Sequence, residues 1–324
     1  MDRSSWGHAL LALGSTVAAY AAYTQPHITD RDDSVIVVPG SNERLTSVDW
    51  HDDTGDVTVL RDGDRVEVRT VSPGKLPPGD APQTYPATSQ ARDLLAKLAP
   101  LTAPRSLGKL TPEQEKSFGL DGPKQSLVLH FGEDTKTVQV GNPVFGSGDY
   151  YVKGPDGTAY LLRATTFGAM MHGALGLQDR DLVGVPRAKI DRLVITSGAG
   201  RRELVQRHAE DPGQGFFADP ADPERKLEVS SAWVDRLLRL RVTELTDKAP
   251  EGEPKLTVEV FQGQRAVARV RLWNGDLADT AVTERFKTPV HLHKSATEAL
   301  VKDVENVFND GKAVEATASE PKSP

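Results

Sequence analysis

One uninterrupted apolar stretch, Trp6 to Tyr23, is followed by about three hundred residues with no second such stretch and no cysteine. That layout ties a chain to a membrane by its first few residues. The segment carries His8 as its sole side chain that titrates near neutral pH. At about 1.5 Å rise per residue, its roughly 18 to 20 residues just cross a hydrocarbon core. Everything after it then lives on one side. Arg3 and the amino terminus precede the run, whereas the flank behind it reads Asp30-Arg31-Asp32-Asp33. The positive-inside bias places the N-terminus in the cytoplasm and the body outside. Ala19-Tyr20-Ala21 would also suit a signal-peptide cleavage site, but the single Arg and the length of the run favour a retained anchor.

A chain without thiols can be neither stapled nor mispaired in an oxidising compartment, so its stability must come from apolar cores. At 38% apolar residues the exported part is long enough for one or two of ordinary size. The formal net charge of -7 argues against a nucleic-acid partner, because counterion release needs a basic face.

Past an anchor over 1–24 and a polar spacer over 25–34, the hydrophobic period switches repeatedly between two and about 3.6, the mark of mixed strands and helices. Leu45 to Trp50, Val57 to Leu60 and Val66 to Val71 read as strands, and the proline-rich Ser72 to Pro86 as an irregular loop. A helix follows from Ser89, with Leu94, Leu95 and Leu98 on one face. Thr111-Pro112-Glu113-Gln114 marks a short capped helical turn. Ser126 to Phe131, Thr135 to Val140, Tyr150 to Lys153 and Ala159 to Arg163 read as an antiparallel meander, closed by a helix from about Thr166 to Leu177. The same plan then runs again. Strands at Ile190 to Thr196, Glu203 to Gln206 and Gly215 to Phe217 precede a helix near Ser231 to Leu240, then strands at Lys255 to Phe261, Ala266 to Leu272, Thr283 to Phe286 and Val290 to Leu292. A last helix opens on the capping box Ser295-Ala-Thr-Glu298. The expected fold is α+β: a transmembrane helix, then two tandem similar units of antiparallel sheet with packed helices, 35–185 and 186–310, and a disordered tail over 311–324.

The chain contains no nucleophile elbow, phosphate loop or dinucleotide fingerprint. His291-Leu292-His293 would put two imidazoles on one strand face, but Glu284 and Glu298 lack diagnostic ligand spacing. His51-Asp52-Asp53 and His208-Ala-Glu210-Asp211 look like fragments of acid–base sites. Both lie in turn-like polar stretches where Asp and His are common for backbone reasons. Ser197 to Gly200, followed by Arg201 and Arg202, could cradle an anion, but a short glycine turn linking two strands explains it better. The stripe Phe167, Met170, Met171 reads as core, and Asp32-Asp33 has no calcium-loop spacing. No catalytic, cofactor or metal residue is therefore assigned, and no cofactor is expected.

From Leu110 to Val183 the chain resembles the family titled domain of unknown function 4340. The resemblance rests on Phe118-Gly119-Leu120 with Pro123, Leu127 to Phe131, Val138-Gln-Val-Gly141-Asn142, Tyr150-Tyr151-Val152, Tyr160-Leu161-Leu162, and Leu175 through Arg180-Asp181-Leu182-Val183. It implies an exported, single-pass protein of the bacterial inner membrane, held through residues 6–23 with its body in the periplasm. It also implies a non-enzymatic accessory role beside ABC-type transporter or gliding-motility components. It carries no active site to transfer. Within it, Gly119 suits a left-handed helix stop and Gly141 a strand end. Two rivals remain: an exported hydrolase whose site gathers His51, His208 or His291, and a module that binds an envelope polymer through Trp50, Trp233 or Trp273.

Overall fold

The computed structural model describes residues 34–311 apart from 64, 72–81, 212 and 276–277. The expected anchor over 6–23, the spacer before Ser34, Asp32-Asp33, the tail after Gly311 and most of the proline-rich loop lie outside the described residues.

The first unit runs β1 (Val35–Val38), β2 (Ser47–Asp52), β3 (Gly55–Asp62), β4 (Arg65–Val71), β5 (Gln83–Pro86), α1 (Ser89–Leu98), β6 (Leu101–Ala103), β7 (Arg105–Gly108) and α2 (Pro112–Ser117). It closes with the meander β8 (Gln125–Phe131), β9 (Asp134–Pro143), β10 (Asp149–Lys153) and β11 (Ala159–Arg163). The second runs β12 (Arg192–Ser197), β13 (Gly200–Arg207), β14 (Phe216–Ala218), α3 (Glu228–Leu238), β15 (Val242–Leu245), β16 (Leu256–Gln262), β17 (Arg265–Trp273), β18 (Asp279–Thr283) and β19 (Val290–Leu292), then α4 (Lys294–Lys302) and α5 (Val304–Asn309). A nine-stranded sheet has the order β5-β4-β3-β2-β8-β9-β10-β11-β7, and an eight-stranded sheet the order β14-β13-β12-β16-β17-β18-β19-β15. With β5 set aside, the two orders correspond strand for strand, and α1 and α3 occupy the same place in the chain.

Strand alternation sets the buried face of each sheet. Val57 and Val59 of β3, and Leu127, Leu129 and Phe131 of β8, point into the core, and the residues between them do not. Ala91, Leu94, Leu95 and Leu98 of α1 close over that face, as Trp233, Val234 and Leu237 of α3 do in the second unit. Burying each large aliphatic side chain is worth about 1.5–3 kcal/mol, so these faces fix which side of each sheet takes its helix.

The expected α+β class is corrected by this architecture. The described residues are mostly β, 43% strand against 21% helix, in three antiparallel sheets. No helix among them is long and apolar enough to cross a membrane. The shortfall in helix has local causes. Thr166 to Leu177 forms two 3-10 turns, Ala164–Thr166 and Gly168–Gly173, ended by a left-handed Ala174. Gly168 and Gly173 weaken a longer helix there. The last helix breaks at Asp303, and its first segment starts after His293 with no side-chain cap, so Ser295 is not its N-cap. Extra strands, β1, β5, β6, β7 and β15, take three or four residues each and were invisible to a periodicity reading.

Candidate functional site

The structure separates the histidine candidates. His51, next to last in β2, pairs across the hairpin with Asp56 (Nδ1 to Oδ1, 2.8 Å), both side chains being exposed. Asp52 accepts from the Thr54 hydroxyl (2.5 Å), the Thr54 amide (2.7 Å), the Gly55 amide (3.1 Å) and the Trp50 indole N–H (2.7 Å). Partial burial pushes its carboxyl up, but these donors outweigh that and hold it below the ordinary aspartate value. Its work is to close the β2–β3 turn.

His208 follows β13 with a positive φ of 51°, its ring 5.6 Å from Phe216 and its Nδ1 4.0 Å from Asp211. One ligand atom from each of His208, Glu210 and Asp211 falls within 4.8 Å of the others, but all three are exposed turn residues. His291 lies on β19 opposite Glu244. His293 occupies the N-cap position of α4 without a side-chain hydrogen bond to the helix. Glu284 accepts the Arg269 amide (3.0 Å), and Glu298 faces Lys294 at 3.7 Å, so neither completes a ligand set with His291.

Ser197 to Gly200 is the β12–β13 hairpin turn, closed by the Ala199 amide on the Ser197 hydroxyl (3.2 Å). Arg201 is exposed, whereas Arg202 turns inward and donates to the carbonyls of Val307 (2.5 Å) and Asp310 (2.7 Å). It staples the end of α5 to β13, satisfying carbonyls that a helix terminus leaves open. Trp50 is fully buried and stacks on Phe167 with ring centroids 5.1 Å apart. Trp233 is fully buried and donates to the Leu300 carbonyl (2.8 Å). Neither is a platform for a polymer. Trp273 donates to the Gly252 carbonyl (2.9 Å).

Among the residues that carry the family resemblance, Phe118 to Leu120, Gly141, Asn142 and Tyr151 form a structural latch. Gly119 takes a φ of 71° beyond α2, where the Leu120 amide reaches the Glu115 carbonyl (2.7 Å) and the Gly119 amide reaches that of Lys116 (3.2 Å), a Schellman stop. The Asn142 amide donates to the Phe118 carbonyl (2.8 Å), and the Phe118 ring stacks on Tyr151 at 4.0 Å. Gly141 lies inside β9 and not at its end; a Cβ there would collide with the Phe118 carbonyl. Sequence reading also missed a hydrogen-bonded chain across three strands. Asp49 Oδ2 meets His130 Nε2 (2.7 Å), and His130 Nδ1 meets Thr135 Oγ1 (3.2 Å). It resembles a triad in connectivity, but it lies on strand faces and lines none of the larger concave sites.

The best-built concave region is the seam between the two units. Tyr85 of β5 is 1% exposed and packs into the second unit's core, not its own. The Arg180 guanidinium sits 4.8 Å above its ring and donates to Gln178 Oε1 (2.7 Å) and to the Thr243 carbonyl (3.2 Å). Burial pushes the Tyr85 phenol above its ordinary value, and the Arg180 charge opposes that shift. The linker acts as a strand for both units. Thr88 and Asp179 exchange with Leu177 and Pro86 (2.8 and 2.7 Å), then Leu182 and Val242 with Leu240 and Arg180 (3.1 and 2.9 Å). Ion pairs Lys287–Glu67 (2.8 Å), Arg241–Asp181 (2.6 Å) and Arg285–Asp179 flank it.

Two clefts open beside Lys287. One of about 500 Å³ lies between Glu67, Arg92 and Arg285, and one of about 380 Å³ between Gln83, Glu244, Asp247 and His291. Of His51, His208, His291 and His293, only His291 lines a cleft at the seam. Tyr85 carries no signal in the sequence, because it lies in a proline-rich stretch, and Arg180 stands out there only as part of the Arg180-Asp181-Leu182-Val183 run of the family resemblance.

The model of a family described as a domain of unknown function (DUF4340) matches residues 78–257, more than half of the chain and across the seam. No curated protein and no solved structure matches.

Proposed function

The chain belongs to the DUF4340 family, and within it we propose a non-enzymatic interaction module, tethered to a membrane through the apolar residues 6–23 with its β body on the exported side. The supporting observation is the seam. Tyr85 and the shared linker tie the two sheets to each other, so that a module of two joined units offers surface on both. Phe145, at the tip of the β9–β10 hairpin, is fully exposed, and an exposed aromatic on a fixed turn is the kind of anchor that seats in a partner's pocket. The resemblance directs the choice of partner to ABC-type transporter or gliding-motility components of a bacterial envelope.

The test is a mild-detergent pull-down of the full chain from native membranes, beside a version lacking residues before Thr24 and a Phe145→Asp variant. Stoichiometric recovery of permease and ATPase subunits with the full chain, reduced in Phe145→Asp, supports the reading. Recovery of the chain alone removes it and turns attention to the cleft that holds His291, Glu244 and Asp247, where a hydrolase rival would have to act.

A further inference from the structure

The two units carry α1 and α3 in the same place, yet the first turns of these helices are supplied differently. Their buried positions match one for one: Ala91, Leu94, Leu95 and Leu98 answer to Ser230, Trp233, Val234 and Leu237. The N-cap residues Thr88 and Leu227 then correspond, and neither side chain caps its helix. In α3 the chain provides the acceptor from elsewhere. Asp310, at the end of α5, takes both the Ser230 amide and the Ser230 hydroxyl on one carboxylate oxygen (2.8 Å each), and Glu228 adds a second negative charge in the first turn. A helix start favours such charge, because its first N–H groups have no intrahelical acceptor and its dipole is positive there.

The ten-residue α1 has no acidic residue in its first turn. Phe167, Met170, Ala174 and Leu177 are buried at the spacing of Thr297, Leu300, Val304 and Val307, so the linker beyond Leu177 stands where α5 ends in the second unit. Its first acid, Asp179, is engaged elsewhere, pairing with Arg285 and accepting the Asp181 amide (3.0 Å). The Ala91 amide, in the place of Ser230, bonds to the Thr88 carbonyl (3.2 Å). Among the described residues, the Ser89 and Gln90 amides and the Ser89 hydroxyl meet no hydrogen-bond partner.

This turn opens into the 500 Å³ cleft at the seam, whose walls include Ser89, Arg92 and Arg65. Arg65 precedes Val66, whose carbonyl takes the Ala87 amide (3.0 Å) just ahead of α1. Both arginines are exposed, and among the described residues neither forms an ion pair or hydrogen bond. The other charges lining the cleft are largely spoken for. Lys287 pairs with Glu67 and Arg285 with Asp179, while Glu284 has no cationic partner and accepts the Arg269 amide (3.0 Å). Two free guanidinium groups and a helix start against one carboxylate leave the cleft positive. The Nε of Arg285, on the same wall, is buried without an acceptor.

We infer that this cleft binds a small molecule through an oxyanion, a carboxylate or a phosphate, seated on the first turn of α1 beside Arg65 and Arg92 as Asp310 is seated on α3. A volume of about 500 Å³ lies in the range of small-molecule sites and leaves room for the rest of an organic ligand. This goes beyond the interaction-module reading and does not depend on it.

The experiment is isothermal titration calorimetry of the full chain in mild detergent at constant ionic strength, with succinate and, separately, inorganic phosphate. The wild type, Arg92→Ala, Ser89→Glu and the control Arg201→Ala are compared, all substituted at exposed residues. The wild type should bind at least one of the two anions at millimolar concentration or below, the stronger one assigning the ligand as carboxylate or phosphate. Arg92→Ala should weaken binding by about tenfold or more. Ser89→Glu places on α1 the residue that α3 carries at Glu228, so it should abolish binding while its melting temperature stays level or rises, a pair of effects that loss of structure would not produce. Arg201→Ala should bind as the wild type does. Absence of heat with both anions overturns the inference, as does a Ser89→Glu variant that melts below the wild type. Binding that survives in Arg92→Ala and Ser89→Glu but falls in Arg201→Ala places the anion in the cavity over Leu227, and the inference likewise fails.

Discussion

Replacing Tyr85 by Ala should cut the two units apart without unfolding the first. Tyr85 belongs to β5 of the first sheet, yet its ring is buried among Leu182, Val242 and the rest of the second core. Truncating a buried aromatic to Ala costs about 3–5 kcal/mol, the transfer and cavity contributions together. Loss of the Arg180 contact at 4.8 Å adds about 0.5–1 kcal/mol, because the guanidinium is half-buried and keeps its bonds to Gln178 and Thr243. Partial collapse of the seam offsets some of this, so a loss of about 3–4 kcal/mol is expected. It should fall on the second unit and on the coupling between units, since the first core does not contain the ring. The control is Tyr85→Phe, which removes only the hydroxyl bond to Gln83 (2.7 Å) and should cost about 1 kcal/mol or less. Urea unfolding of the full chain in mild detergent, followed by circular dichroism and tryptophan fluorescence, reads both. The wild type should unfold in one transition and Tyr85→Ala in two, the earlier one exposing Trp233. A single transition shifted by less than about 1 kcal/mol would show that the seam does not hold the units together.

Trp233→Phe should cost more than Trp50→Phe, by about 1–2 kcal/mol in the same urea titration, because it strands the buried Leu300 carbonyl while Asp52 keeps three other donors; equal losses would refute the difference. Asp52 has a carboxyl pKa depressed in the folded state. Its stabilising contribution is therefore complete above the ordinary aspartate value of 3.8 and lost as pH falls through the lower folded value. Asp52→Asn should then be less stable than the wild type at neutral pH and converge with it in acid below 3.8; a constant gap at all pH values would sink this assignment.

The sequence was most informative where the deciding contacts are local. The strands Ala159–Arg163 and Val290–Leu292 were legible to the residue because alternation and flanking turns mark them. The capping box at Thr111 was legible for the same reason: the Gln114 amide reaches the Thr111 hydroxyl (3.3 Å) and the Thr111 amide reaches Gln114 Oε1 (2.9 Å) within four residues. The left-handed Gly119 belongs with them. Apolar periodicity misled at Thr166 to Leu177. Phe167, Met170 and Ala174 are indeed buried, but the backbone between two glycines settles into 3-10 turns. Counting such stretches as helices inflated the helical share, and with it the fold class.

Charge, the lack of cysteine, the apolar stretch at the start and the period of each segment are properties of short windows, and the sequence determined them by itself. Tertiary structure alone decided what joins distant windows. It paired β1 with β6 and β15 with β19, although β1, β6 and β15 are each too short to show a period. It put Tyr85 into the other unit's core, turned Arg202 onto the end of α5 and kept His51, His208 and His291 apart. The physical reason is that an edge strand of three or four residues has little preference of its own. Its place is set by backbone groups that must find partners and by apolar area left uncovered elsewhere in the chain, neither of which any short window contains.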